Sequence, residues 1–440
     1  MRGARRHRCA PPGRCPGRFP RLPVAVVTAV AVVLGAACGP RFDDAGTDGA
    51  APIGPSPAPT TRTSGTRPPT TRPAPAAPAV PPPLVTDDEV RFGVLVPVTG
   101  AAPVPDTFDR GVNAYVDVVN RQGGINGRRV RIIIEDTQSQ AEVAKDRAKK
   151  LLEQDRVLGI IALDRLENHE ALIRYLDPRK VPNVHLQTPA GLGAERTWTF
   201  NITIDQGDQG RLVADYFVRG LRARRVALIT ENSPLLEPGR RQFRDRIRAL
   251  GARVVYDRRV EGQQTEFATE ALALSQRRPD VVWLYMAPTT AASLANQTEE
   301  AGFHPTWFAN SISWGFNLTF SVAPKALRGA RAFSPWLPLD DPRTERYQRA
   351  YRRLNPGMEP DDLGIIGWGM GQILVEAARR AGRDLTRDAF REAMQNLEYR
   401  ADVWVPIRFG PGVRTGTRSV AVLRERDGRW VLERDFTTRF

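Results

Sequence analysis

A chain of 440 residues with 41% hydrophobic side chains is long enough for two or three folding units and apolar enough for a globular body. Its formal charge of +15 drops to +8 without residues 1–37, which hold seven Arg and no acid; the other basic residues mostly alternate with acids, as in Arg240–Arg248, which argues against a nucleic-acid surface. The three cysteines, Cys9, Cys15 and Cys38, all precede the globular part and exclude a disulfide framework or thiolate metal site there.

Residues 1–37 read as a signal peptide. A basic, Pro-rich stretch precedes an apolar run of about 14 residues that begins at Val24. That is too short to span a bilayer core, which needs about 20. Gly35-Ala-Ala-Cys38 then resembles a bacterial lipobox, with Gly35 where Leu is usual, so Cys38 is the expected lipidation site. Residues 38–86 are rich in Pro and Thr and read as a disordered, lipid-anchored tether, because such a composition buries too little apolar area to offset its ordering entropy.

From residue 88 strands alternate with amphipathic helices. A β-rich run at Val90–Pro97 is followed by a helix over Asp109–Gln122 with a stripe at Val112, Tyr115, Val116 and Val119. The cycle repeats with strands at Arg129–Glu135, Val157–Leu163 and Asn183–Leu186 and helices at Glu142–Gln154 and Asn168–Leu176. A second series has strands at Arg225–Thr230, Arg253–Tyr256, Val281–Tyr285 and Thr306–Ala309, with helices near Asp208 and at Gly239–Leu250, Glu266–Gln276 and Thr290–Ala301. Three more helices (Pro342–Leu354, Leu363–Ala381 and Thr386–Met394) precede β-rich runs at Val403–Phe409 and Ser419–Leu432. The pattern predicts an α/β protein of two doubly wound parallel-sheet lobes, with ligands at the carboxyl ends of the strands.

Two blocks carry a resemblance. Val90-Arg-Phe-Gly-Val-Leu-Val-Pro-Val-Thr-Gly100 and Gly111-Val-Asn-Ala-Tyr-Val-Asp-Val-Val-Asn-Arg-Gln-Gly-Gly-Ile-Asn-Gly127 are similar to the first strand and helix of the branched-chain amino-acid-binding proteins of ABC importers. Arg225–Thr230, Leu250–Val255 and Pro279–Tyr285 also look like positions of that family. The resemblance implies the type I periplasmic-binding fold, with two lobes joined by a three-crossover hinge that closes on a ligand. By that analogy residues 88–205 plus 335–400 form lobe 1, and 206–334 plus 401–440 form lobe 2.

The ligand loops depart from the amino-acid binders. The loop expected to offer Ser and Thr hydroxyls reads Ala162-Leu-Asp-Arg-Leu-Glu167, and in the next one Thr188 alone keeps a hydroxyl. Ser233-Pro-Leu-Leu236 replaces a Tyr-Gly, and Asn310-Ser-Ile-Ser-Trp314 replaces an acid. Candidate ligand-binding residues are therefore Thr99, Asp164, Arg165, Gln187, Thr188, Tyr285, Asn310, Trp314 and Trp368, a mixed polar and aromatic set suited to a small molecule. Trp368, on an apolar helix, reads equally as core or as cleft wall.

P-loops, G-x-S-x-G elbows and H-E-x-x-H motifs are absent. Gly367-Trp-Gly-Met-Gly371 lies within a helical pattern and reads as helix packing. His169, His185 and His304 stand too far apart in sequence to suggest a ligand cluster, and His185 reads as a satisfied core residue. No catalytic residue, metal or cofactor is expected. The expected function is that of an exported solute-binding protein of an ABC importer, anchored through Cys38 outside the cytoplasmic membrane. It would be a monomer whose partners are a small-molecule ligand (amino-acid-like, amide or aromatic), the membrane and a permease. One alternative couples the same fold to a membrane signalling protein, and another is an exported α/β hydrolase or transferase.

Overall fold

The computed structural model describes residues 84–440 except 101–103, 105, 263 and 310–317. The expected signal peptide, Cys38 and nearly all of the tether lie outside the described residues, as do Asn310 and Trp314.

The first lobe begins β1 (Glu89–Val96), α1 (Thr107–Arg121), β2 (Arg129–Asp136), α2 (Ala141–Glu153), β3 (Gly159–Ala162), α3 (Leu166–Leu176), β4 (Asn183–His185) and β5 (Thr199–Asn201). All five strands are parallel, in the order β2-β1-β3-β4-β5. Alternation along β1 explains the layering. Phe92, Val94 and Val96 enter the core under α1, while Leu95 joins the opposite one with Ala144, Leu151 and Leu172 of α2 and α3. Both faces of a parallel sheet are thus covered, as its crossover helices require.

The second lobe follows as α4 (Gln206–Asp215), β6 (Arg225–Glu231), α5 (Glu237–Ala249), β7 (Arg253–Val260), α6 (Ala268–Arg277), β8 (Val281–Tyr285), α7 (Pro288–Glu300), β9 (Thr306–Ala309), α8 (Leu318–Val322) and β10 (Arg331–Ser334). The chain then returns to the first lobe as α9 (Glu345–Leu354), α10 (Asp362–Arg380), α11 (Arg387–Gln395), β11 (Glu398–Tyr399) and β12 (Ile407–Arg408). It crosses once more to β13 (Val420–Arg426) and β14 (Arg429–Thr437). These last two are antiparallel strands on the edge of a seven-stranded sheet ordered β14-β13-β10-β9-β8-β6-β7.

Two expectations change here. Ser419–Leu432 is a hairpin, not one run: Asp427 (φ 51°) and Gly428 (φ 77°) turn the chain inside a charged stretch with no apolar break to mark it. Val403, Trp404, Val405, Ile407 and Phe409 belong to the first lobe's core, so the passage into the second sheet comes after β12 and not at residue 401.

The three crossovers are pinned to one another. Trp404 Nε1 donates to the Ile202 carbonyl of the first (3.1 Å), and the Val405 and Leu337 amides tie 403–405 to 335–337 of the second. Asn201 pairs with Thr415 of the third. Glycines let α10 lie against α1: a Cβ on Gly367 would stand 2.2 Å from the Phe108 carbonyl oxygen, and one on Gly111 would stand 1.9 Å from that of Gly364. The Gly367–Gly371 run is therefore a packing surface.

Candidate functional site

The segments at the carboxyl ends of β3 and β6 meet between the two lobes, which places the candidate ligand cleft there. From the first lobe come Asp136, which ends β2, and the loops after β1 to β4, carrying Thr99, Thr137, Asp164, Arg165, Gln187 and Thr188. From the second come the ends of β6 and β8, at Glu231 and the buried Tyr285, and the loop after β6, carrying Ser233. The lobes touch at the first of these: Arg165 Nη2 lies 3.6 Å from Glu231 Oε1, and Ser233 Oγ donates to Glu167 Oε1 at 3.1 Å.

Asp164 organises the first-lobe side. Its Oδ2 accepts from Thr137 Oγ1 (2.5 Å), its Oδ1 from the Arg165 amide (2.7 Å) and Asn168 Nδ2 (2.9 Å), and its carbonyl from Gln187 Nε2 (3.1 Å). Burial raises its carboxyl above the ordinary range against the pull of the donations from Thr137, the Arg165 amide and Asn168. Asp164 therefore positions Arg165 and Gln187 and has its own acceptors engaged.

Behind it lies a buried relay. The Asp164 amide donates to His169 Nε2 (3.2 Å), which fixes the proton on Nδ1; that atom meets His185 Nδ1 at 2.7 Å, and His185 Nε2 meets Asn183 Oδ1 at 2.7 Å. Asn183 Nδ2 donates to the Val181 and Trp198 carbonyls, so its Oδ1 is the acceptor and every role is consistent with two neutral rings. Burial pulls His169 down to about 3, and burial plus the neighbouring ring holds His185 well below its ordinary value.

The other candidates divide. Thr99 is exposed, and its amide and hydroxyl both donate to Asp136 (3.2 and 2.6 Å). Burial raises Asp136, but donations from Thr99, Gln138 and Val98 outweigh it and hold the carboxyl below its usual range. Thr188 is 1% exposed, and its hydroxyl has no hydrogen-bond partner among the described residues. Tyr285 is buried, stacked on Trp283 with centroids 4.6 Å apart, and donates to Gln206 Oε1.

Trp368 does not line the cleft. It is fully buried in the first core, edge-on to Tyr115 (5.0 Å) and Tyr347 (5.7 Å), with Nε1 donating to Asp402 (3.2 Å). Helix α10 is apolar almost all round, so periodicity alone gave its tryptophan no direction.

The structure thus brings Asp164, Arg165 and Gln187 together and separates Trp368 from them. Thr137, Glu167, Glu231, Ser233 and the histidine pair are additions to the candidate ligand residues read from the sequence. Two of these, Glu167 and Ser233, lie in loops whose departure from the family pattern was visible; the histidines are 16 residues apart and meet only through the pairing of β3 with β4.

Residues 89–429 match the periplasmic binding protein family, and the chain belongs to it. It is a solute-binding protein of the kind that serves ABC transporters, a class that works outside the cytoplasm. Among relatives, the Leu/Ile/Val-binding protein homolog 1 of Brucella abortus is 25% identical over 302 residues, covering 67% of this chain and 79% of its own. Among solved structures, the fatty acid ABC transporter substrate-binding protein of Thermomonospora curvata superposes with a TM-score of 0.71 at 19% identity, over 82% of this chain and 95% of its own. The substrate-binding protein LivJ of Streptococcus pneumoniae in complex with isoleucine gives 0.69 at 15% identity, over 79% and 100%. No helix among the described residues is long and apolar enough to cross a membrane.

Proposed function

We propose that this protein captures a small carboxylate-bearing molecule between its lobes, through Arg165, Gln187 and Thr188, and delivers it to a membrane permease. One observation carries the reading. The Arg165 guanidinium lies 3.6 Å from the Glu231 carboxylate and 3.7 Å from that of Glu167, and among the described residues it hydrogen-bonds to neither, so its fork is open to a bidentate carboxylate. The buried Thr188 hydroxyl, which has no hydrogen-bond partner among the described residues, supplies a further donor or acceptor. Two proteins of similar fold, named for fatty acid and bound to isoleucine, handle molecules that carry a carboxylate.

A thermal-shift screen of branched-chain amino acids, fatty acids and aromatic acids against their primary amides tests this. A matching carboxylate stabilises the protein by about 3–4 kcal/mol at several hundred times Kd, and its amide does not. A response confined to neutral or cationic compounds overturns the carboxylate reading. We further take residues 1–37 as a signal peptide and 38–86 as a tether lipidated at Cys38, supported by the Gly35-Ala-Ala-Cys38 sequence. Replacing Cys38→Ala would release the protein to the medium; unchanged membrane retention would sink that assignment.

A further inference from the structure

Away from the cleft, two arginines converge where the third crossover passes the edge strand of the first sheet. Trp198 and Phe200, two residues apart along this edge, each carry a guanidinium: Arg391 of α11 lies 5.6 Å from the Trp198 ring centroid and Arg414 lies 5.6 Å from that of Phe200. Both guanidiniums donate to one neutral atom, Gln395 Oε1, at 3.1 Å each. Neither arginine has a carboxylate within 4.0 Å among the described residues.

Arg414 is the more constrained of the two. It is 3% exposed, and its Nε and Nη1 are buried with no acceptor. Burial and the Arg391 charge both work against its protonated form, and Asp177 is the acid that favours it. One oxygen of that acid, Oδ1, already accepts from the Trp198 amide and Thr199 Oγ1. A guanidinium cannot escape burial by losing its proton. A buried charge without a counter-ion is costly, and cation–π contact offsets only part of that cost.

We propose that Arg391 and Arg414 form a binding site for a small oxyanion of the phosphate type. Two planar forks that share one neutral oxygen offer the donor geometry such a group accepts. Asn396 and Val413, the chain neighbours of Gln395 and Arg414, line an open recess of about 480 Å³ together with Glu398, Arg408, Phe409, Gly410 and Pro411. The site also has a mechanical setting. The Arg414 carbonyl accepts from the Asn201 amide and Gly416 donates back to Asn201, so an anion held by both arginines ties α11 to the third crossover.

The test compares melting temperatures of the full protein in inorganic phosphate, glycerol phosphate and chloride at equal ionic strength. Phosphate at about thirty times its Kd raises the wild-type midpoint by about 2–4 °C over chloride. Arg391→Gln, at a half-buried position, abolishes that difference while keeping the chloride midpoint within about 2 °C. Arg165→Gln, in the cleft, retains it. A response to glycerol phosphate equal to that of phosphate assigns the site to a phosphate borne on a larger molecule, and a response to phosphate alone assigns it to the free anion. Equal phosphate and chloride midpoints overturn the proposal. So does a phosphate response that survives in Arg391→Gln, or one lost in Arg165→Gln, which would place the anion in the cleft. Titration calorimetry with phosphate supplies a second readout if a variant folds poorly.

Discussion

Arg165 and Glu231 meet across the cleft at 3.6 Å, and Glu167 and Ser233, two residues further along each loop, add a hydrogen bond of 3.1 Å. The second of these contacts joins two segments that depart from the pattern of the amino-acid binders, Ala162–Glu167 and Ser233–Leu236. Here the protein's own side chains span the gap that a ligand would bridge.

Such a partly exposed pair contributes at most about 1 kcal/mol, so breaking it changes the closed-to-open ratio by about fivefold or less. Glu231→Gln should expand the ligand-free protein in small-angle scattering, and added salt should expand the wild type towards the same value. No change in the radius of gyration on either treatment would remove the pair from any role in closure.

The buried histidines set an acid limit. In the unfolded chain each takes a proton below about pH 6.5, whereas folded His169 does so only near 3 and folded His185 well below its ordinary value. Between these limits the unfolded state binds more protons, so stability is lost as the pH drops, by up to about 1.4 kcal/mol per unit per histidine. Above pH 6.5 the effect vanishes. Asp164, raised by burial, works in the opposite direction nearer its own range. Denaturant midpoints between pH 5 and 7 should slope less in His185→Gln than in the wild type, and parallel curves would refute the assignment.

Backbone closeness between α1 and α10 predicts a steric penalty. Gly367→Ala places a methyl group 2.2 Å from the Phe108 carbonyl oxygen, where no flexible side chain can yield. A loss of about 1–3 kcal/mol in unfolding free energy is expected from such overpacking. Wild-type stability in this variant would mean that the two helices separate easily.

Trp368 separates core from cleft. Trp368→Phe removes the hydrogen bond to Asp402 and part of the packing on Tyr115, at a cost of about 1–3 kcal/mol. Ligand affinity should stay within twofold, measured by calorimetry with whichever compound the screen returns. A tenfold loss would return this residue to the binding wall.

The architecture was legible because each strand of the two series is a short apolar run and each helix carries its stripe, as Val112, Tyr115, Val116 and Val119 do in α1. What escaped was short or masked by charge: β5 and β10 have three and four residues, and the β13–β14 turn lies among arginines and acids. The site was legible only as loops. That Asp164 would hold Arg165 and Gln187 in place, that His169 would find His185, and that Ser233 would reach Glu167 all depend on strand pairing and lobe closure, which no local pattern encodes.

The Trp404 contact to Ile202 has a bearing on how such a protein diversifies. Three chain passages locked side by side leave the lobes one axis of rotation, like a door on a single pin. Mutation can then remodel the loops on either jamb, and so change what is caught, without retuning the swing that reports the catch.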